Sequence, residues 1–134
     1  MTSALAIYLL ESKQVDAILH VGVSEESYLF NKLYISKTKE DVLRHNASRY
    51  APAAVFNDII QIFESTGETT FAFIGKPCDI AAIQNLLRVY PRYQGRVIYF
   101  LSIFCAGMPT YNATKKALST FGKNRRTDKA TIQR

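Results

Sequence analysis

The stretch from residue 70 to 87, TFAFIGKPCDIAAIQNLL, constrains the fold more than any other part of the chain. A short apolar run ends at residues 75–77 (GKP), and Cys78 and Asp79 then open a segment with apolar residues at helical spacing. The pattern predicts a strand, a tight turn and a helix. Unpaired N–H groups at a helix start favour anions and thiolates, so a cysteine there can become a nucleophile or a metal ligand. An ordinary strand-to-helix turn with a partly buried cysteine is the alternative interpretation.

The composition is that of a soluble globular protein, with 48% hydrophobic and 21% charged residues in 134. No apolar run approaches the roughly 20 residues that span a bilayer. The first apolar stretch has no basic residue before it and no small-residue cleavage site after it, which argues against a secretory signal. Two cysteines, Cys78 and Cys105, make no disulfide framework, so we expect a reduced, cytoplasmic setting.

The basic charge is concentrated at one end of the chain. Residues 123–134 hold five basic residues and one acidic residue, so they account for +4 of the formal charge of +6. A nucleic-acid-binding fold usually shows a basic face across the domain itself. We therefore predict one domain over residues 1–122, followed by a basic, flexible tail. Nucleic-acid binding by that tail is a weaker hypothesis.

Helices and strands alternate along the chain. The pattern predicts a helix over 3–11 with Thr2 or Ser3 as N-cap, strands over 15–23, 28–35, 71–74 and 96–104, and helices over 38–44, 52–66, 78–87 and 110–121. Thr38 is the predicted N-cap of its helix, with Asp41 at the capping-box position. Strand 96–104 is the most apolar run and is predicted to be central. Pro52 is placed in the first turn of its helix and Gly67 at its C-terminal end. The order predicts an α/β fold with a mixed, largely parallel sheet covered by helices.

Ligands of open α/β sheets bind beyond the C-terminal ends of the strands, and the two cysteines are predicted to lie at such ends. Cys78 and Cys105 both follow predicted strands, and if those strands are parallel neighbours the two thiols should face one site. Ser48 and Arg49, just ahead of a predicted helix, could bind a phosphate or carboxylate, or could be a local cap and a solvated side chain. His20 lies within a strand, where a hydrogen-bonded structural histidine is the favoured interpretation.

Four segments together resemble one known family. These are TSALAIYLLES, NASRYAP, FAFIGKPCDIAAIQNLL and FLSIFCAGMPT, and in this order and spacing the chain resembles the beta subunit family of coenzyme F420 hydrogenases and dehydrogenases. The resemblance covers roughly residues 2–122. It implies a flavoprotein that holds FAD, usually with an iron–sulfur cluster, and that passes electrons to an acceptor such as the deazaflavin coenzyme.

The resemblance implies a cofactor site but no catalytic side chain. The implied cofactor-binding residues are Thr2, Ser3, Ser48, Arg49, Tyr50, Gly75, Lys76, Pro77, Cys78 and Gly107. Lys76 and Arg49 are expected to offset the phosphates of FAD, and the backbone at Gly75 to lie against the flavin. Cys78 and Cys105 are implied as cluster ligands only in a complete protein, since a cubane cluster needs about four thiolates.

Several departures from the family pattern shape the expectation. Ala47 stands in a glycine position, Asp79 stands where many members carry glutamine, and a cysteine-rich segment and a further domain are not found. We therefore expect a partial FAD-dependent oxidoreductase domain that lacks full activity, with a redox partner protein or the flanking domains as partners and no membrane contact. The alternative is a non-catalytic assembly module that associates, also with itself, through exposed apolar surfaces.

Overall fold

The structure is a computed structural model that describes residues 2–26, 30–46 and 52–120. Its helices and strands are α1 (Thr2–Glu11), β1 (Ala17–Val23), β2 (Asn31–Ser36), α2 (Lys39–Arg44), α3 (Ile59–Ser65), β3 (Phe71–Gly75), α4 (Pro77–Val89), β4 (Val97–Ser102) and α5 (Tyr111–Thr120), with a 3-10 turn at Pro91–Tyr93. No helix in this part of the chain is long and apolar enough to cross a membrane.

The described strands form one four-stranded sheet in the order β2-β1-β3-β4. β1 pairs antiparallel with β2, whereas the β1/β3 and β3/β4 pairings are parallel. β1 therefore joins the strands of the first half of the chain to those of the second half, with Ala17 opposite Phe71 and Phe71 opposite Val97. The predicted mixed, largely parallel sheet is confirmed.

Helices cover both faces of the sheet. Phe71 and Phe73 point to one face of β3, where they pack in a buried cluster with Phe63 of α3 and Ile83 of α4. The intervening Ala72 belongs to the opposite face, where a second buried cluster joins the sheet to α1 and α2. Alternate residues of one strand thus serve two cores, and this explains why the apolar run of β3 is continuous rather than alternating.

Several helix ends are as the sequence predicts. Thr38 caps α2, its hydroxyl accepting from the backbone N–H of Asp41 at 3.1 Å while the Asp41 carboxylate accepts from the Thr38 N–H at 3.2 Å. α4 begins at Pro77, one residue before its predicted start. Gly67 follows the end of α3 with a φ of +54°, a conformation that favours glycine.

Four local predictions are wrong. α3 begins at Ile59 rather than at Pro52, and the preceding segment instead forms a parallel bridge between Ala53 and Asn31. α1 includes both Thr2 and Ser3, so neither is its N-cap. The second strand begins at Asn31 and does not include Phe30, whereas residues 28 and 29 of its predicted range lie outside the described residues. In each case the apolar pattern found the element, but local pairing and packing set its boundary.

The fourth error concerns β4, which lies at the edge of the described sheet and not at its centre. An apolar run indicates that its side chains contact apolar surroundings. It does not indicate how many neighbouring strands are hydrogen-bonded to it. Only Val97 of this strand is fully buried, and Ile98 is 46% exposed. Part of the apolar surface of β4 is therefore left uncovered by the described chain.

Candidate functional site

A cavity of about 450 Å³ lies beyond the C-terminal ends of the three parallel strands. It is lined by Thr2, Ser3, His20, Val21, Asn31, Val42, His45, Asn46, Ala53, Ile74, Gly75, Lys76, Asp79, Ile103, Phe104, Cys105, Ala106, Gly107 and Met108. Its position is the one that ligands of open α/β sheets occupy. Its volume falls within the roughly 300–1,000 Å³ of small-molecule sites.

An ion pair closes the cavity wall at the turn from β3 to α4. The Nζ of Lys76 lies 2.6 Å from Oδ2 of Asp79, and the same carboxylate oxygen accepts from the Lys76 backbone N–H at 3.1 Å. Asp79 is thus the third residue of α4 and supplies the carboxylate that satisfies the N–H before the helix. Both side chains are largely buried, with 17% and 11% exposed, so the pair is less screened than one on the surface.

Gly75 permits this arrangement because a side chain at this position would not fit, and not because its backbone conformation requires glycine. A Cβ at this position would lie 2.7 Å from Cε1 of Phe73 and 3.0 Å from Cβ of Asp79. Phe73 is fully buried in the core and Asp79 is 8% exposed, so neither side chain is free to yield. The glycine therefore allows both to approach the strand end closely.

His20 of β1 forms part of the same wall. Its Nε2 lies 2.7 Å from Oγ of Ser36 on the antiparallel neighbour β2, and both residues are buried. Burial lowers the pKa of His20 to about 4, with a smaller lowering from the charge of His45. The imidazole is therefore neutral near pH 7. Ser36 is fully buried, so this pair does not offer an accessible serine nucleophile.

The end of α2 and the start of α1 meet above His20. The His45 ring stacks on Tyr34 with a centroid separation of 3.8 Å and an interplanar angle of 19°. Burial also lowers the pKa of His45. Asn46, the last described residue of this segment, accepts at Oδ1 from the Ser3 hydroxyl at 2.8 Å. These contacts connect the first helix to the sheet around the cavity.

The part of the lining that follows β4 is different in character. We call His20, Gly75, Lys76 and Asp79 the closed wall, and residues 103–108 the open wall. Every residue of the open wall is exposed, and Phe104 is fully so. The segment is held to the sheet by the N–H of Ile103, which donates to the Gly75 carbonyl at 3.0 Å. Gly107 has a φ of +112°, a conformation that side chains rarely adopt.

Comparison with known families assigns both halves of the chain to one of them. Residues 1–60 match the model of the coenzyme F420 hydrogenase/dehydrogenase beta subunit N-terminal region, and residues 68–133 match that of its C terminus. The chain belongs to this family. The resemblance inferred from the four sequence segments is confirmed. The two matched regions meet within one sheet, because β1 lies in the first and its parallel neighbour β3 in the second.

Among solved structures, a chain of the xenon-derivatised F420-reducing [NiFe] hydrogenase complex from Methanosarcina barkeri has a similar fold. The TM-score is 0.78 at 20% sequence identity, and the match covers 93% of this chain and 44% of that chain. This chain thus spans less than half of the length of that structural relative. No curated protein matches the sequence significantly.

The structure brings together six of the residues that the resemblance implies for binding a cofactor or a cluster. Those lining the cavity are Thr2, Ser3, Gly75, Lys76, Cys105 and Gly107. Pro77 and Cys78 do not line it, and Ser48, Arg49 and Tyr50 lie outside the described residues. The implied cofactor roles of all these residues stay predictions.

The two thiols do not share the cavity, although β3 and β4 are parallel neighbours as expected. Cys105 lines it, whereas Cys78 is an exposed residue whose Sγ lies 3.9 Å from Oδ1 of Asp79. Successive helix residues point about 100° apart, so Asp79 and Cys78 cannot present their side chains in the same direction. Being next to the turn therefore does not place Cys78 in the cavity.

Sequence reasoning missed several cavity residues. His45 and Asn46 follow α2, and their position became clear only when α1 and α2 met over the sheet. Both histidines of the sequence line this one cavity, although His20 was interpreted as structural; its hydrogen bond to Ser36 confirms that interpretation in part. The spacing of Lys76 and Asp79, three residues apart at a helix start, was the available signal for their pairing.

The cavity residues fit a flavin better than a metal cluster. The lining combines hydrogen-bonding groups with apolar side chains such as Ile74, Ile103 and Met108, as expected for a heteroaromatic ligand. Among the described residues, no group of three or more His, Cys, Asp or Glu side chains could hold a metal ion. The two cysteines of the sequence are too few for a cubane cluster.

Proposed function

We propose that this chain forms the FAD-binding part of an oxidoreductase that passes electrons between an iron–sulfur cluster, a flavin and a deazaflavin-type acceptor. One observation carries the proposal. The cavity at the C-terminal strand ends brings together residues 2–3, 75–76 and 105–107, which are far apart in sequence and belong to three of the segments that resemble the family.

The described residues suggest how the cofactor would be held. Lys76 keeps two of its three N–H donors free of Asp79 and would donate them to a phosphate oxygen. Ile74 and Met108 offer apolar contact for the ring system. When bound, FAD supplies the two-electron chemistry that none of these side chains provides. The protein's contribution is to bind the cofactor, orient it and exclude water from one of its faces.

The cluster and the acceptor belong to a larger assembly in this proposal. The structural relative is part of a hydrogenase complex, and its chain is more than twice as long as the matched region. Cys105 would be available at the open wall as one thiolate for a cluster whose other ligands come from elsewhere. Electrons would then enter or leave beside the flavin, through the wall that the described chain leaves uncovered.

Titration with FAD, followed by flavin fluorescence and visible absorbance, tests the proposal. We expect saturable binding at one site. Ala106→Trp places a bulky ring in the cavity at an exposed position and should weaken binding about tenfold or more. Ala113→Trp, also at an exposed position but outside the cavity, is the matched control and should bind normally. Absence of saturable binding, or equal affinity in the two variants, would contradict the proposal.

Exposed apolar side chains favour a second candidate function, assembly without catalysis. Ile98 is 46% exposed on edge strand β4, and Ile103 and Phe104 extend the apolar surface at its end. Such an edge is a template for association. Light scattering should then show oligomers that dissociate in Ile98→Lys but not in Leu43→Lys, an exposed control on α2. A monomer at high concentration would exclude self-association as the function.

A further inference from the structure

A single ion pair sets the charge that the described residues contribute to the cavity. Among the described residues that line it, Lys76 and Asp79 are the only Lys, Arg, Asp or Glu side chains. They are paired at 2.6 Å, so together they contribute no net charge. The positive charge that Lys76 would offer to a phosphate is thus offset by Asp79.

The Asp79 carboxylate lies close enough to repel any phosphate that binds to Lys76. A charge-assisted N–H···O contact is about 2.7–2.9 Å long. A phosphate oxygen on Nζ would therefore lie within about 5.5 Å of Oδ2 of Asp79, since the Nζ–Oδ2 distance is 2.6 Å. Both side chains are largely buried, which leaves the repulsion between carboxylate and phosphate weakly screened.

The repulsion depends on the charge of the phosphate. Each phosphate of a pyrophosphate diester carries one negative charge, as in FAD, whereas a terminal phosphate monoester carries about 1.5 to 2 at pH 7. A lysine that is already paired with a carboxylate can offset the single charge of a diester phosphate more completely than the larger charge of a monoester. We propose that Asp79 is a specificity-determining residue that makes the cavity select a flavin dinucleotide over a flavin mononucleotide.

This inference rests on the proposed function, because it requires that the cavity bind a flavin at all. Asp79 acts on the ligand through charge, while its hydrogen bond to the Lys76 backbone N–H also holds the start of α4. Asn at this position keeps an oxygen that can accept from that N–H, but removes the charge. Asp79→Asn therefore separates the two roles.

The experiment measures dissociation constants of FAD, FMN and riboflavin by fluorescence titration. In Asp79→Asn the ratio of the FMN constant to the FAD constant should fall about tenfold, since one carboxylate charge within about 5.5 Å is removed. Affinity for uncharged riboflavin should change less than about twofold, because the Coulomb term acts only on a charged ligand. Asp58→Asn is the matched control, since this exposed carboxylate lies outside the cavity and makes no capping hydrogen bond; it should leave the ratio unchanged.

The outcomes distinguish the two proposals. If flavins bind but the ratio is the same in Asp79→Asn and in the unaltered protein, the selectivity role is wrong and the flavin site stands. If neither protein binds any of the three flavins, the proposed function fails and the inference with it. Asp79→Gln makes the same charge change with a longer side chain, and decides the question if Asp79→Asn does not fold.

Discussion

The two walls of the cavity differ in how far their residues are already packed, paired or hydrogen-bonded within the protein. In the closed wall, His20 is hydrogen-bonded to Ser36, Lys76 is paired with Asp79, and Gly75 is enclosed by Phe73 and Asp79. In the open wall, residues 103–108 are all exposed. Both follow strands of one sheet, so the difference does not come from the fold class.

The difference shows what each wall can do. The closed wall has fixed donors, acceptors and charges before a ligand arrives, which reduces the ordering cost of binding. The open wall offers apolar surface and one thiol without a covering layer. It is therefore the place where a ligand, a partner or both would bury surface. Four predictions can break or sharpen this comparison.

Two phenylalanines give the largest expected contrast. Phe73 is fully buried beside the closed wall, and Phe73→Ala should cost about 3–5 kcal/mol of unfolding free energy. Phe104 is fully exposed, and Phe104→Ala should change stability by less than about 0.5 kcal/mol. Urea unfolding of both variants measures the effect. A cost above about 1 kcal/mol at Phe104 would mean that the open wall is covered after all, and the comparison would fail.

Protonation of His20 should destabilise the closed wall. Its folded pKa is about 4 against an ordinary 6.5, so between these values the unfolded chain binds a proton that the folded chain does not. Stability should therefore fall as the pH drops through this window, by about 3 kcal/mol in total. Urea unfolding at pH 7 and pH 4.5 should show a smaller fall in His20→Gln. Equal pH dependence in the two proteins would show that His20 is not held neutral. The open wall contains no histidine or charged residue and adds nothing to this loss.

The closed wall was the more predictable half of the site from sequence. An apolar run, a glycine and a proline fixed the boundary between β3 and α4 because each acts locally. Thr38 and Asp41 gave the start of α2 for the same reason. Which strand lies next to which is not a local property, so the apolar pattern predicts a central β4 although the strand lies at the edge of the described sheet.

The contributions of the helices to the cavity could not be predicted for a related reason. Ser3 and Asn46 are 43 residues apart and meet only because α1 and α2 pack on the same face of the sheet. The ion pair that neutralises Lys76 is a second feature that the sequence interpretation does not include. The charge of a lysine at a helix start predicts anion binding, but here the carboxylate three residues later forms an ion pair with it.

Gly75 tests whether the closed wall is as tightly packed as the distances indicate. Gly75→Ala should cost about 1–3 kcal/mol, because the new methyl group overlaps Phe73 and Asp79. The double variant with Phe73→Leu should recover part of that loss, which a double-mutant cycle measures. Gly107→Ala in the open wall meets no atom within 4 Å, so its cost comes from the backbone alone and should not respond to Phe73→Leu. Strict additivity at Gly75 would show that the overlap is relieved elsewhere.

The smallest expected effect concerns the cap that fixes the helix above the closed wall. Thr38→Ala removes the hydroxyl that accepts from the Asp41 N–H and should cost about 1 kcal/mol. Thr38→Ser keeps the hydroxyl and should remain close to the unaltered protein. Because α2 ends directly before His45 and Asn46, the alanine variant should also increase hydrogen exchange in α2 without affecting the open wall. Faster exchange in residues 103–108 as well would mean that the two walls move together, and that the contrast between them is one of exposure and not of stability.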